Sequence, residues 1–119
     1  GLYESYGGKS VHDMSHGESF FATIMNRFSK NSLFILDEPE AALSPQRQLT
    51  MLARIHQLVN MNCQFVIATH SPILMAYPNS YINSIDEDIK IIKYEDTNHY
   101  QVTKNFLDNP KRMLDILLD

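Results

Sequence analysis

The chain has 119 residues, a net charge of −4 and one cysteine. That length is one domain or less, and it is enough to bury a core. The negative balance argues against a global electrostatic funnel for nucleic acid, and no apolar run approaches the roughly 20 residues of a membrane span. Cys63 has no partner for an internal disulfide, which fits a reducing compartment. No secretion-signal pattern stands before the first motif, so the expected location is the cytoplasm.

In chain order, the first motif is "YGGKS", Tyr6 to Ser10. Gly-Lys-Ser ends a phosphate-binding P-loop, G-x-x-x-x-G-K-[ST], which lies between a strand and a helix. The first glycine of that pattern would fall at Tyr3, with only two residues before it. The stretch reads instead as a turn. "HDMSH" then sets His12 and His16 four residues apart, as in the zinc motif H-E-x-x-H. That motif needs a helix. Gly17, with the helix predicted beyond it, suggests a loop, and no third ligand is evident.

"MSHGES", Met14 to Ser19, precedes a helical pattern of Phe20, Phe21, Ile24, Met25 and Phe28. A helix N-terminus offers free N–H groups and a dipole that favours an anion. Ser15 and Glu18 also fit the S-x-x-E capping box, so the stretch has both a structural and an anion-binding reading.

Leu33 to Leu36 is a continuous apolar run, the pattern of a strand covered on both faces. It ends in Asp37 and Glu38, before Pro39. A carboxylate at a strand tip can hold Mg²⁺ beside a phosphate, and its neighbour can polarise water. Ser44–Pro45 is a helix start, N-cap then N1. The helix is predicted to bury Met51, Leu52, Ile55, Leu58 and Val59, with Thr50, Arg54 and Gln57 facing away.

Cys63, between this helix and the next strand, is expected to be a buried, inert thiol. Phe65 to Ala68 is predicted as a second buried strand, leading to His70, Ser71 and Pro72. Strand, helix, strand at this spacing is a βαβ unit with parallel strands. It would bring Asp37, Glu38 and His70 to one sheet edge, where α/β proteins bind ligands. Shorter strands are predicted over 81–85 and 89–94, around the acidic turn Asp86–Asp88. A helical tail repeats the cap-plus-proline start at Asn109–Pro110.

Together these stretches resemble the ATP-binding-cassette ATPase superfamily. "MSHGE" stands where the L-S-G-G-Q signature belongs, "LFILDE" matches the Walker B strand, "AALS" the D-loop and "ATHSP" the switch histidine. "DEPEAALSP" and "ATHSP" are most similar to the chromosome-maintenance, recombination and OLD-type ATPases. The chain as a whole is similar to predicted bacterial ATPases of that kind.

The resemblance implies a truncated P-loop NTPase fold of the α/β class, with a parallel βαβ core and flanking helices. It implies ATP and Mg²⁺ as cofactors. Asp37 would hold Mg²⁺, Glu38 would be the catalytic base and His70 the γ-phosphate sensor. Ser15, His16, Gly17 and Glu18 would meet ATP bound to a second subunit, in a homodimer joined through the nucleotide. His16 departs from the first signature glycine, and Ser44 from the usual D-loop aspartate. Family members carry a P-loop and a glutamine loop upstream of the signature. Residues 1–119 are therefore expected to be the C-terminal part of a larger ATPase domain, inactive alone and completed by the N-terminal part of the same protein. The alternative is a non-hydrolysing interaction module that binds a protein partner or nucleic acid.

Overall fold

A computed structural model describes residues 16–26, 30–85 and 88–119, with side chains described from Phe21 onward. Ser15, the His12 half of the histidine pair and "YGGKS" lie outside these residues. The chain divides into two compact units, one reaching to Leu74 and the other covering Met75–Asp119.

The first unit is α1 (His16–Asn26), β1 (Leu33–Asp37), α2 (Pro45–Val59) and β2 (Gln64–Ala68). The strands are parallel and pair in register from Leu33↔Gln64 to Asp37↔Ala68. This is the expected α/β crossover unit, a two-stranded sheet with a helical connection. Helix α1 is described from His16, so Gly17 lies within it and not in a preceding loop.

Helix α2 starts where its sequence signals it. Ser44 is the N-cap, its side chain accepting from the Arg47 N–H at 3.2 Å, and Pro45 takes the first helical position. Proline loses nothing there, because that N–H has no partner within the helix. Ser44→Ala is expected to lower stability by about 0.5–2 kcal/mol, read as a fall of several degrees in a thermal melt. An unchanged melt would show that water replaces the cap at no cost.

The core is Ile24 from α1, Phe34 and Leu36 from β1, Leu58 from α2, and Cys63, with Met61, Phe65 and Ile67 packed against it. Phe34 and Phe65 are register partners whose rings stack at 4.9 Å. Cys63 is buried, as its apolar neighbours suggest. At the other end of the strands, Asn62 Nδ2 donates to Asn31 Oδ1 at 2.7 Å, and the Asn31 N–H to Met61 O at 3.1 Å. Both asparagines have positive φ, 57° and 64°, a conformation asparagine tolerates better than most residues.

Two expectations about burial are corrected. Among the described residues the strands are not covered on both faces: Leu33, Ile35 and Val66 are 49, 43 and 52 % exposed, while Phe34 and Leu36 are buried. The core described above packs on one face only, so a continuous apolar run here has an alternating burial pattern. Arg54 does not face away from the core. It is buried, its Nε donating to Ile24 O at 3.0 Å and its Nη1 to Gln57 Oε1 at 2.9 Å. The guanidinium thus ties α2 to a backbone carbonyl of α1, a use to which its fork of donors is suited.

The second unit holds the antiparallel pair β3 (Ile82–Ser84) and β4 (Lys90–Ile92), then α3 (Asn98–Asp108) and α4 (Pro110–Leu117). The strands are shorter than the sequence suggested. Thr97 caps α3 and Asn109 caps α4, with side chains accepting from the Tyr100 and Arg112 N–H groups. Tyr94 and Tyr100 meet edge-on at 4.8 Å. Burial, then Tyr100 and Glu95, raise the Tyr94 pKa above its ordinary value.

Candidate functional site

The parallel register brings the C-terminal ends of β1 and β2 level, with Asp37 beside Ala68. Glu38 continues the ladder for one more bond, its N–H donating to Ala68 O at 2.7 Å. The chain then turns sharply. Glu38 has φ 49°, and Ala42, four residues on, has φ 63°. Such left-handed backbone costs a non-glycine residue roughly 1–2 kcal/mol. Strain of this kind clusters at functional sites, where surrounding contacts hold it in place. Here Pro39 is buried, and the Ala41 N–H donates to Glu38 O at 3.1 Å.

Two residues beyond β2, His70 meets the strained glutamate. Its Nε2 lies 3.6 Å from Glu38 Oε1, and both side chains are largely exposed. Asp37 is exposed at the strand tip. The three residues singled out from the sequence thus lie together at one sheet edge. His16, Gly17 and Glu18 form the first turn of α1, and their side chains lie outside the described set.

The geometry adds residues that motif reading passed over. The Glu40 carboxylate spans the gap between the two strand exits. Its Oε1 accepts from Thr69 Oγ1 at 2.6 Å and its Oε2 from the His70 N–H at 3.0 Å. Thr69 Oγ1 in turn accepts from the Ser71 N–H at 3.0 Å. Ser71 Oγ donates to Gln48 Oε1 on α2 and accepts from the Leu74 N–H at 3.1 Å. Gln48 Nε2 returns to Leu43 O at 3.3 Å. The segment around His70 is therefore held from both ends of the β1–α2 connection. The sequence signal was the last acid of "DEPE" together with the hydroxyls that flank the histidine. Neither acquires a partner until the strand register is known.

Chemically, the edge offers one exposed carboxylate, a carboxylate–imidazole pair and a fixed backbone around them. Among the described residues no group of three or more His, Cys, Asp or Glu could hold a metal ion. Such a donor set does not suit zinc, which takes at least three protein ligands. It does fit Mg²⁺, which keeps several waters and takes one or two carboxylates plus substrate phosphates. Among the described residues no helix is long and apolar enough to cross a membrane.

No curated protein matches the chain. Residues 18–75, which run from α1 through both strands and past His70, match the family of the AAA ATPase domain, and that match supports an ATP-related function in a larger protein.

Proposed function

We propose that residues 1–119 are the C-terminal part of an ATP-binding-cassette-type ATPase domain of the chromosome-maintenance, recombination and OLD-type group. The domain hydrolyses ATP where two subunits meet. The observation that supports this most is the pairing of Glu38 with His70 at the tips of parallel strands, directly after Asp37. The AAA ATPase match over the same stretch agrees with it.

In this reading Glu38 accepts a proton from the attacking water. A carboxylate held beside an imidazole, on a backbone fixed by its strand, is suited to that task. The water oxygen attacks the γ-phosphorus, and ADP leaves with the electrons of the broken P–O bond. His70 donates a hydrogen bond to a γ-phosphate oxygen, where charge is redistributed in the transition state. Asp37 would supply a carboxylate oxygen for Mg²⁺, which when bound would neutralise phosphate charge. Ser15, His16, Gly17 and Glu18 contact the γ-phosphate of ATP held by the opposite subunit. The start of a helix, with its free N–H groups, is suited to an anion. The P-loop that grips the β- and γ-phosphates comes from outside these residues.

A site shared between subunits has a kinetic signature. Turnover per subunit in the full-length protein is expected to rise with protein concentration and level off as subunits pair. Phosphate release measured across a dilution series, beside light scattering, checks it. Turnover that stays constant down to a fully monomeric solution would rule out the shared site. Absence of ATP binding would leave the non-hydrolysing module.

A further inference from the structure

The geometry points to Glu40 as the positioning residue that sets His70 against Glu38. This inference rests on the ATPase reading of the site and goes beyond it, to how the histidine is held.

Glu38 and His70 lie on separate strand exits, 32 residues apart in sequence, and both side chains are largely exposed. Packing therefore does little to fix their separation. Beyond the last ladder bond, Glu38 N–H to Ala68 O, the Glu40 carboxylate also joins the two exits. One of its oxygens takes the Thr69 hydroxyl and the other the His70 N–H. One side chain that holds two donors at once fixes both in a defined geometry. It grips the backbone of the histidine and not its ring, whose Nε2 lies 3.6 Å from Glu38 Oε1. The tie is extended by the Thr69 hydroxyl, which accepts from the Ser71 N–H.

Glu40 also belongs to the connection that leads into α2. The Leu43 N–H donates to Glu40 O at 2.9 Å, and that connection contains both left-handed residues, Glu38 and Ala42. A movement of this connection reaches the His70 backbone through the Glu40 side chain. Glu40 thus links the segment that resembles the D-loop to the one that carries the histidine. Its two oxygens are committed to Thr69 and His70, which leaves Glu38 to act as the base.

The test compares Glu40→Ala, Glu40→Gln and Thr69→Ser with the wild type, all in the full-length protein. Misplacing a catalytic group by about 1 Å costs on the order of 10²-fold. Glu40→Ala is therefore expected to lower kcat by about tenfold to a hundredfold, with KM for ATP within about threefold of wild type. Glu40→Gln keeps an acceptor for the His70 N–H and an amide for the Thr69 hydroxyl. Its kcat is expected to stay within about threefold of wild type, as is that of Thr69→Ser, which retains the hydroxyl. Thermal melts separate positioning from folding: a structural role alone would lower the melting temperature without the split between kcat and KM.

Equal loss of kcat in Glu40→Gln and Glu40→Ala would overturn the inference, because it would make the charge, not the geometry, the requirement. A wild-type kcat in Glu40→Ala would overturn it as well. Amide hydrogen exchange at His70 reads the tie without turnover, and so stands even if the ATPase reading fails. Exchange at His70 is expected to quicken in Glu40→Ala and to stay near wild type in Glu40→Gln; unchanged exchange in Glu40→Ala would overturn the inference.

Discussion

Glu38→Gln in the full-length protein is expected to lower ATP turnover by about 10²–10⁴-fold, the loss associated with removing a general base. This equals about 3–5 kcal/mol of transition-state stabilisation, at 1.36 kcal/mol per tenfold. The substitution changes one oxygen to an amide of nearly the same size. It leaves the left-handed turn at Glu38, the ladder bond to Ala68 O and Asp37 in place. ATP affinity is therefore expected to stay near wild type while chemistry stops, so the variant should accumulate in its ATP-bound form. Single-turnover phosphate release beside equilibrium nucleotide binding measures both halves. A rate within about threefold of wild type would remove Glu38 from the role of base. Because Glu40 lies two residues on and is also a carboxylate, the same assay on Glu40→Gln tells the two acids apart. Loss at Glu38 with retention at Glu40 is the expected pattern, and the reverse would exchange their roles.

That two acids of one short motif divide their work could be read only in part from the sequence. The Asp37–Glu38 pair at a strand end and the histidine after the next strand are local signals, and the parallel pairing of their strands follows from the βαβ spacing. The same holds for the start of α2, where Ser44 and Pro45 need no tertiary contact to act. Glu40 is different. Its partners, Thr69 and His70, are 29 and 30 residues away, and nothing in local periodicity shows which acid of "DEPE" will reach them. Arg54 eluded pattern reading for a related reason. A charged residue is expected on the solvent side by its type, yet its guanidinium is buried and donates to a carbonyl of another helix. The outer face of the sheet is the opposite case. Leu33, Ile35 and Val66 carry the composition of a covered strand, and the described residues leave that face half exposed. Such apolar strands mark a surface that the rest of a larger protein is expected to cover.

The 119-residue chain by itself is expected to release no phosphate from ATP and to associate through the outer edge of β2. The chemical half follows from the sequence, which contains no G-x-x-x-x-G-K-[ST] loop to hold the β- and γ-phosphates. The structural half follows from the ladder. Among the described residues β2 pairs with β1 alone. The Gln64 N–H and the Ala68 carbonyl face β1, bonding to Ser32 O and the Glu38 N–H. Backbone groups alternate along a strand, so the N–H and C=O of Phe65 and Ile67 face the other way, along an edge that no described strand covers. An apolar edge with unpaired groups is a template for another strand. The half-exposed Val66 at its centre adds apolar surface beside it. Light scattering on the purified chain is expected to show oligomers that grow with concentration. Val66→Lys places a charge on this edge strand without touching the buried face, and is expected to shift the chain toward monomer, as edge lysines do in natural sheets. Added ATP and Mg²⁺ should produce no phosphate in either form. Oligomers unchanged by Val66→Lys would locate the association elsewhere. A monomer that turns over ATP at an ordinary enzymatic rate, about 1–10³ per second, would show that the phosphates are held by residues other than a P-loop.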